Sequence, residues 1–145
     1  MTTKSTQTGP ELLEERSIGG VFVHLFALLT GFLGAGLVYL LSRHKFTKEN
    51  ARNALNWHLS IFLLTVIGFV TFFLGADNVT VAGETIEMAT ILPAPVDTIA
   101  AMIGWLLLAI AGLGVLFTLI FTLIATAKAI FGDAWKYPGS ISIIG

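Results

Sequence analysis

Three stretches of the chain run without an aspartate, glutamate, lysine or arginine: 24 residues over 18–41, 18 over 57–74 and 30 over 98–127. Their apolar residues are continuous rather than alternating, which excludes the strands of a membrane barrel. A bilayer core about 30 Å thick takes ~20 apolar residues in a helix, and a helix satisfies its own backbone polar groups there. The pattern therefore predicts an all-α integral membrane protein with three transmembrane helices. The third run is longer than one crossing needs, reaching about 45 Å if helical. Tilt is expected there, or a kink at Gly104, Gly112 or Gly114. Gly31, Gly34 and Gly36 are the weak point of the first run, where two half-helices would meet.

Polar residues at the ends of the runs set the boundaries. Thr47, preceded by Phe46 and followed by Lys48 and Glu49, has the pattern of an N-cap with a hydrophobic staple. The second helix is then expected from about Lys48, lying in the interface before it enters the membrane. Asp97, after Pro93 and Pro95, marks the start of the third helix, and Gly132 marks its end. Helices are expected over 18–41, 48–75 and 98–131. They form a bundle over 18–132, between a polar arm over 1–17, helical from Pro10, and a tail over 133–145. Glu11, Glu14 and Glu15 spoil the basic region that a cleaved signal peptide would carry in that arm.

Composition agrees with this reading. Hydrophobic residues make up 55% and charged residues 12%, about half the charge of a soluble domain, and mean hydropathy is +0.86. The 8 basic and 9 acidic residues leave no surplus for neutralising phosphates, so nucleic acid is not an expected partner. The absence of cysteine removes disulfides, thiolate metal sites and cysteine nucleophiles. The charges also divide by loop. Residues 42–56 hold Arg43, Lys45, Lys48 and Arg52 against Glu49 alone, whereas 76–97 hold Asp77, Glu84, Glu87 and Asp97 with no lysine or arginine. The positive-inside rule places the first loop in the cytoplasm and the second outside. Three crossings then put the N-terminus outside and the C-terminus inside, with Trp57, Trp135 and Tyr137 as interface anchors.

Few polar residues fall inside the runs. His24 is expected to be a neutral imidazole hydrogen-bonded within the bundle or a residue near the interface, with proton carriage, metal binding or pairing with a group on another helix as the functional alternatives. His58 is expected at the cytoplasmic boundary, near the membrane face opposite His24, so a joint metal site would need a bent first helix, has no carboxylate within a span to complete it, and is not expected. Asn53, Asn56 and Ser60 form a polar edge on the second helix. Thr118, Thr122 and Thr126 repeat every four residues along the third. Ala27, Gly31 and Ala35, like Ala100 and Gly104, repeat at the same spacing. Such small or hydroxylic stripes usually serve close helix packing, although the threonines and Ser60 would also suit the wall of a pore. No catalytic motif occurs, and the acids lie outside the runs. Neither a cofactor nor enzymatic activity is expected. Asn78-Val79-Thr80 is a glycosylation sequon on the outer loop.

Three short patterns resemble a known family. They are His24-Leu25-Phe26-Ala27-Leu28-Leu29 with Gly31-Phe32-Leu33-Gly34; then Asn50-Ala51-Arg52-Asn53-Ala54-Leu55-Asn56-Trp57-His58; and Ala127-Lys128-Ala129 with Gly132 and Tyr137-Pro138. Together they resemble a group of small prokaryotic membrane proteins of unknown function. That group is related to the twenty-kilodalton channel-forming component of the Tic translocon of the chloroplast inner envelope. Ala35-Gly36 stands where that group usually has proline, and His58 replaces its usual glutamine. The resemblance implies a contact at the cytoplasmic side in which Asn56 and His58 meet Lys128 or Tyr137, with His24 as a further motif residue. The expected function is that of a non-enzymatic accessory or scaffolding subunit. It would act by helix association with other membrane subunits or with itself in the lipid bilayer. The alternative is a homo-oligomeric pore or translocon-like channel component.

Overall fold

A computed structural model describes residues 16–88 and 91–145; the helix expected from Pro10 lies outside them. The described chain folds as α1 (Ile18–Leu41), α2 (Lys45–Gly75), a hairpin of β1 (Asn78–Val81) and β2 (Glu84–Glu87), and α3 (Val96–Ile130). All three helices are long and apolar enough to cross a membrane. These elements pack as two units. One contains residues up to Ser60 and from Phe117 to Gly145, and the other Ile61–Leu116.

In the first unit, α1 is not straight. Ser17 caps it, its hydroxyl accepting from Gly20 N at 3.1 Å. Gly31 then breaks it with φ 65° and ψ −146°, a conformation open in practice only to glycine. The break turns the chain back on itself. On the entering limb, a Cβ at Gly20 would meet the Phe46 ring, and Ser17 Oγ hydrogen-bonds Thr47 Oγ1. On the returning limb, a Cβ at Gly36 would touch Leu55 at 3.7 Å, and the Lys48 ammonium lies 5.1 Å above the Tyr39 ring. Both ends of α1 therefore lie beside the first turns of α2. This is the meeting of two half-helices that the glycine cluster offered, and the structure places it at Gly31. Gly31 is also removed from the expected Ala27–Gly31–Ala35 packing stripe: it is the hinge, while Ala27 and Ala35 are fully buried.

The start of α2 also differs from expectation. It begins at Lys45, so Thr47 is inside the helix and its hydroxyl serves Ser17 instead of acting as a cap. At the other end of this unit, α3 stops as expected. Gly132 has φ 85°, its N–H bonds Ala129 O at 3.1 Å, and the Asp133 N–H bonds Lys128 O at 3.0 Å. This is the paired closure of a glycine-terminated helix.

In the second unit, small residues set the approach of α2 to α3. A Cβ at Gly104 would fall 2.3 Å from Phe72 N, and one at Gly75 would fall 2.1 Å from Asp97 O. The backbones are thus in direct contact, as small-residue helix pairs in membranes allow. Gly104, Gly112 and Gly114 do not interrupt α3, which runs through 35 residues. The loop between α2 and α3 contains a hairpin that hydropathy alone does not reveal. β1 and β2 pair from Asn78↔Glu87 to Val81↔Glu84. Ala82 (φ 52°) and Gly83 (φ 90°) form the two-residue turn with the left-handed geometry that suits strand twist.

Candidate functional site

The polar residues of the first unit converge on Tyr137. Its hydroxyl lies 3.0 Å from His24 Nδ1, and His24 Nε2 lies 2.8 Å from Asn50 Oδ1. Asn50 Nδ2 donates to Phe46 O at 2.9 Å, which fixes its amide so that Oδ1 faces the imidazole. It follows that His24 carries a proton on Nε2, and in its neutral form it accepts from the Tyr137 hydroxyl at Nδ1. All three residues are buried, with His24 and Asn50 at 0% exposure. A neutral imidazole with both nitrogens partnered satisfies the requirement that buried polar groups be hydrogen-bonded.

Aromatic rings enclose this triad. Trp57 stacks on Tyr137 at 5.6 Å between centroids and 17° between planes. Phe121 meets Trp57 edge-on at 5.0 Å, and Trp135 tilts against Tyr137 at 5.4 Å. The Trp57 indole N–H donates to Thr118 Oγ1 at 3.0 Å. Burial among these rings pushes the Tyr137 phenol up to about 12 by disfavouring the phenolate. The Thr122 hydroxyl opposes this in part, although it stops short of hydrogen-bond geometry.

Above the triad, one face of α2 holds the tail by its main chain. Asn53 Nδ2 donates to Ala134 O and Trp135 O at 3.1 and 3.2 Å. Asn56 Oδ1 accepts from Ile143 N at 3.1 Å and Ile144 N at 2.8 Å, and its Nδ2 donates to Ile144 O at 3.1 Å. Ser60 Oγ donates to Asn56 O at 2.7 Å and accepts from Ile141 N at 2.9 Å. The spacing of Asn50, Asn53, Asn56 and Ser60 keeps them near one side of α2, where Asn53, Asn56 and Ser60 hold the tail through its amide groups and Asn50 holds His24.

The structure distributes the sequence-derived residues as follows. His24 and Tyr137 are joined directly. Asn56 binds the tail near its end and not Tyr137 or Lys128. Lys128 points outward and pairs with Asp133 at 3.5 Å. His58 follows Asn50 by eight residues on the same helix, about 12 Å along the axis, so the two histidines do not lie at opposite ends. His58 Nε2 is buried without a hydrogen-bond partner among the described residues, as are Thr122 Oγ1 and Thr126 Oγ1. Thr118 and Thr122 are buried. Among the described residues no group of three or more metal-binding side chains forms. The sequence reading assigns Asn50 and Trp57 no bond in the core, only a motif position and an interface anchor. The signal for their roles is the polar spacing that begins at Asn50.

A family model, that of the magnetosome magnetite crystal formation protein family, matches residues 15–144. This span contains α1, α2, α3, the triad and the asparagine ladder. The chain belongs to that family. The match supports a small membrane-protein family and shows no relation to the Tic component. No curated protein and no solved structure matches the chain.

Proposed function

We propose that this chain is a membrane-embedded, non-enzymatic subunit in magnetite crystal formation, acting by association with other membrane subunits or with copies of itself. The family match supplies the process. The observation that carries the mode of action is the destination of the buried polar groups. His24, Asn50, Asn53, Asn56 and Thr118 all bond within the first unit, so they are not presented to a substrate. The helices instead expose large apolar side chains such as Leu29, Met102 and Leu116, a surface for lipid and for other helices. A pore lined by Thr118, Thr122 and Thr126 is less well supported, because Thr118 is engaged by Trp57 and Thr122 is fully buried.

The test is native mass spectrometry of the protein gently extracted from a magnetite-forming host, combined with electron microscopy of crystals from cells lacking it. A second polypeptide at fixed stoichiometry, or a defined homo-oligomer, is expected, together with altered crystal size. A lone monomer from cells whose crystals are unchanged by the deletion would overturn the reading. For the pore alternative, Thr122→Leu must abolish conductance in a bilayer; an unchanged current would remove it.

A further inference from the structure

The return of α1 from Gly31 creates a feature that the association role does not use. Tyr39, on the returning limb, comes to rest against the first turns of α2. There Tyr39, Lys45, Lys48, Glu49 and Arg52 line a cavity of about 180 Å³. Three bases face one acid. That acid is loosely held, with Glu49 Oε1 3.6 Å from Arg52 Nη2, beyond hydrogen-bond distance. The Arg52 guanidinium therefore keeps donors for another acceptor. Lys48 is positioned by the Tyr39 ring rather than by a carboxylate, so its charge is not neutralised. Val38, next to Tyr39 in the chain, lines a second cavity, of about 450 Å³. This one is apolar and lies between the two limbs of α1, with Phe22, Leu25, Phe26 and Leu29 on its walls.

The geometry points to a binding site for one anionic phospholipid, with its phosphate among Lys45, Lys48 and Arg52 and an acyl chain in the groove between the limbs of α1. The charge selects an anion, and basic pockets beside membrane helices are suited to acidic headgroups. The groove selects a lipid over a soluble phosphate. Tyr39, at the end of an apolar limb, is the kind of residue that resides at headgroup level.

The experiment is native mass spectrometry of the full chain released from nanodiscs of phosphatidylcholine containing a minor fraction of phosphatidylglycerol. Wild type is expected to retain phosphatidylglycerol in preference to phosphatidylcholine. Lys48→Gln and Arg52→Gln are each expected to reduce that preference about fivefold, the equivalent of about 1 kcal/mol per surface contact. Lys48→Arg, which keeps the charge, is expected to retain it and so excludes misfolding as the cause. Arg43→Gln removes a charge from the same loop but not from the cavity wall, and it should change nothing. Equal loss from Arg43→Gln would reduce the effect to general attraction and overturn the site. So would equal retention of the two lipids, or displacement of the bound lipid by millimolar inorganic phosphate.

Discussion

Substituting Gly31 separates backbone conformation from packing. A Cβ at Gly31 would meet nothing within 4 Å, and the same is true at Gly112. The two glycines differ in conformation: Gly31 has φ 65°, whereas Gly112 lies within uninterrupted α3. Gly31→Ala therefore introduces no clash, only the cost of holding an L residue in a region closed to it, about 1–3 kcal/mol. It also improves the competing conformation. A straight helix over the same 24 residues would reach about 36 Å, enough to cross a bilayer, and alanine favours it over glycine by about 1 kcal/mol. The combined bias is ~2–4 kcal/mol toward the straight form, a factor of roughly 30 to 1,000. Because the chain has no cysteine, single cysteines at Ile18 and Arg43 can be labelled with a membrane-impermeant maleimide in sealed vesicles. In the parent protein the two are expected to react from the same side. In Gly31→Ala a measurable fraction of position 18 should react from the other side, and denaturation in detergent should register the loss. Gly112→Ala should be neutral or slightly stabilising. If the two alanine variants behave alike, or positions 18 and 43 of the parent react from opposite sides, the hairpin reading of α1 is wrong.

Other substitutions test the interior. His24→Leu leaves Asn50 Oδ1 and the Tyr137 hydroxyl without their partner and should cost about 1–3 kcal/mol for each, read by thermal unfolding in detergent. Tyr137 supplies a pH dependence. Its folded value of about 12 lies above the ordinary 10.0, so its contribution is complete below about pH 10 and is lost as pH rises through about 12, by roughly 2–3 kcal/mol. Alkaline unfolding should therefore begin in that window in the parent and be shallower there in Tyr137→Phe. Gly104→Ala forces a methyl against the Phe72 backbone and should destabilise the second unit by about 1–3 kcal/mol or more; amide exchange over 61–116 would detect it. Asn56→Leu frees Ile143 and Ile144, and limited proteolysis should then clip the tail while helix content persists.

Legibility in the sequence follows the physical range of each signal. Helix existence is written in uninterrupted hydropathy, and α1 was bounded correctly at Ile18 and Leu41 because charge-poor residues fill it and polar residues flank it. The Gly132 terminus was legible for a local reason: glycine tolerates the left-handed turn. The path of α1 was not. A run of 24 apolar residues has the same hydropathy whether it crosses or returns, and Gly31, Gly34 and Gly36 all offered a hinge. Only the positive φ at Gly31 distinguishes them. The start of α2 is not legible, because Thr47 has the chemistry of a cap but a distant hydroxyl, that of Ser17, claims it. The β-hairpin escaped notice because its alternation spans only four residues per strand. At the site, His24 was legible as a buried neutral imidazole, while its partners Asn50 and Tyr137 lie 26 and 113 residues away and no periodic pattern connects them.

That 113-residue separation between His24 and Tyr137 also imposes a timetable. A ribosome adding about 5–20 residues per second needs roughly 6–23 s to travel that distance. From the moment Asn50 is made, α1 and the start of α2 exist without the phenol that completes them. The hydrophobic segments on which membrane insertion depends are thus all made before the core can close. A chain interrupted before Trp135 would look finished to the insertion machinery but carry an imidazole lacking one of its two partners. Residues 134–144 thus complete the core late: their arrival separates an inserted chain from a folded one.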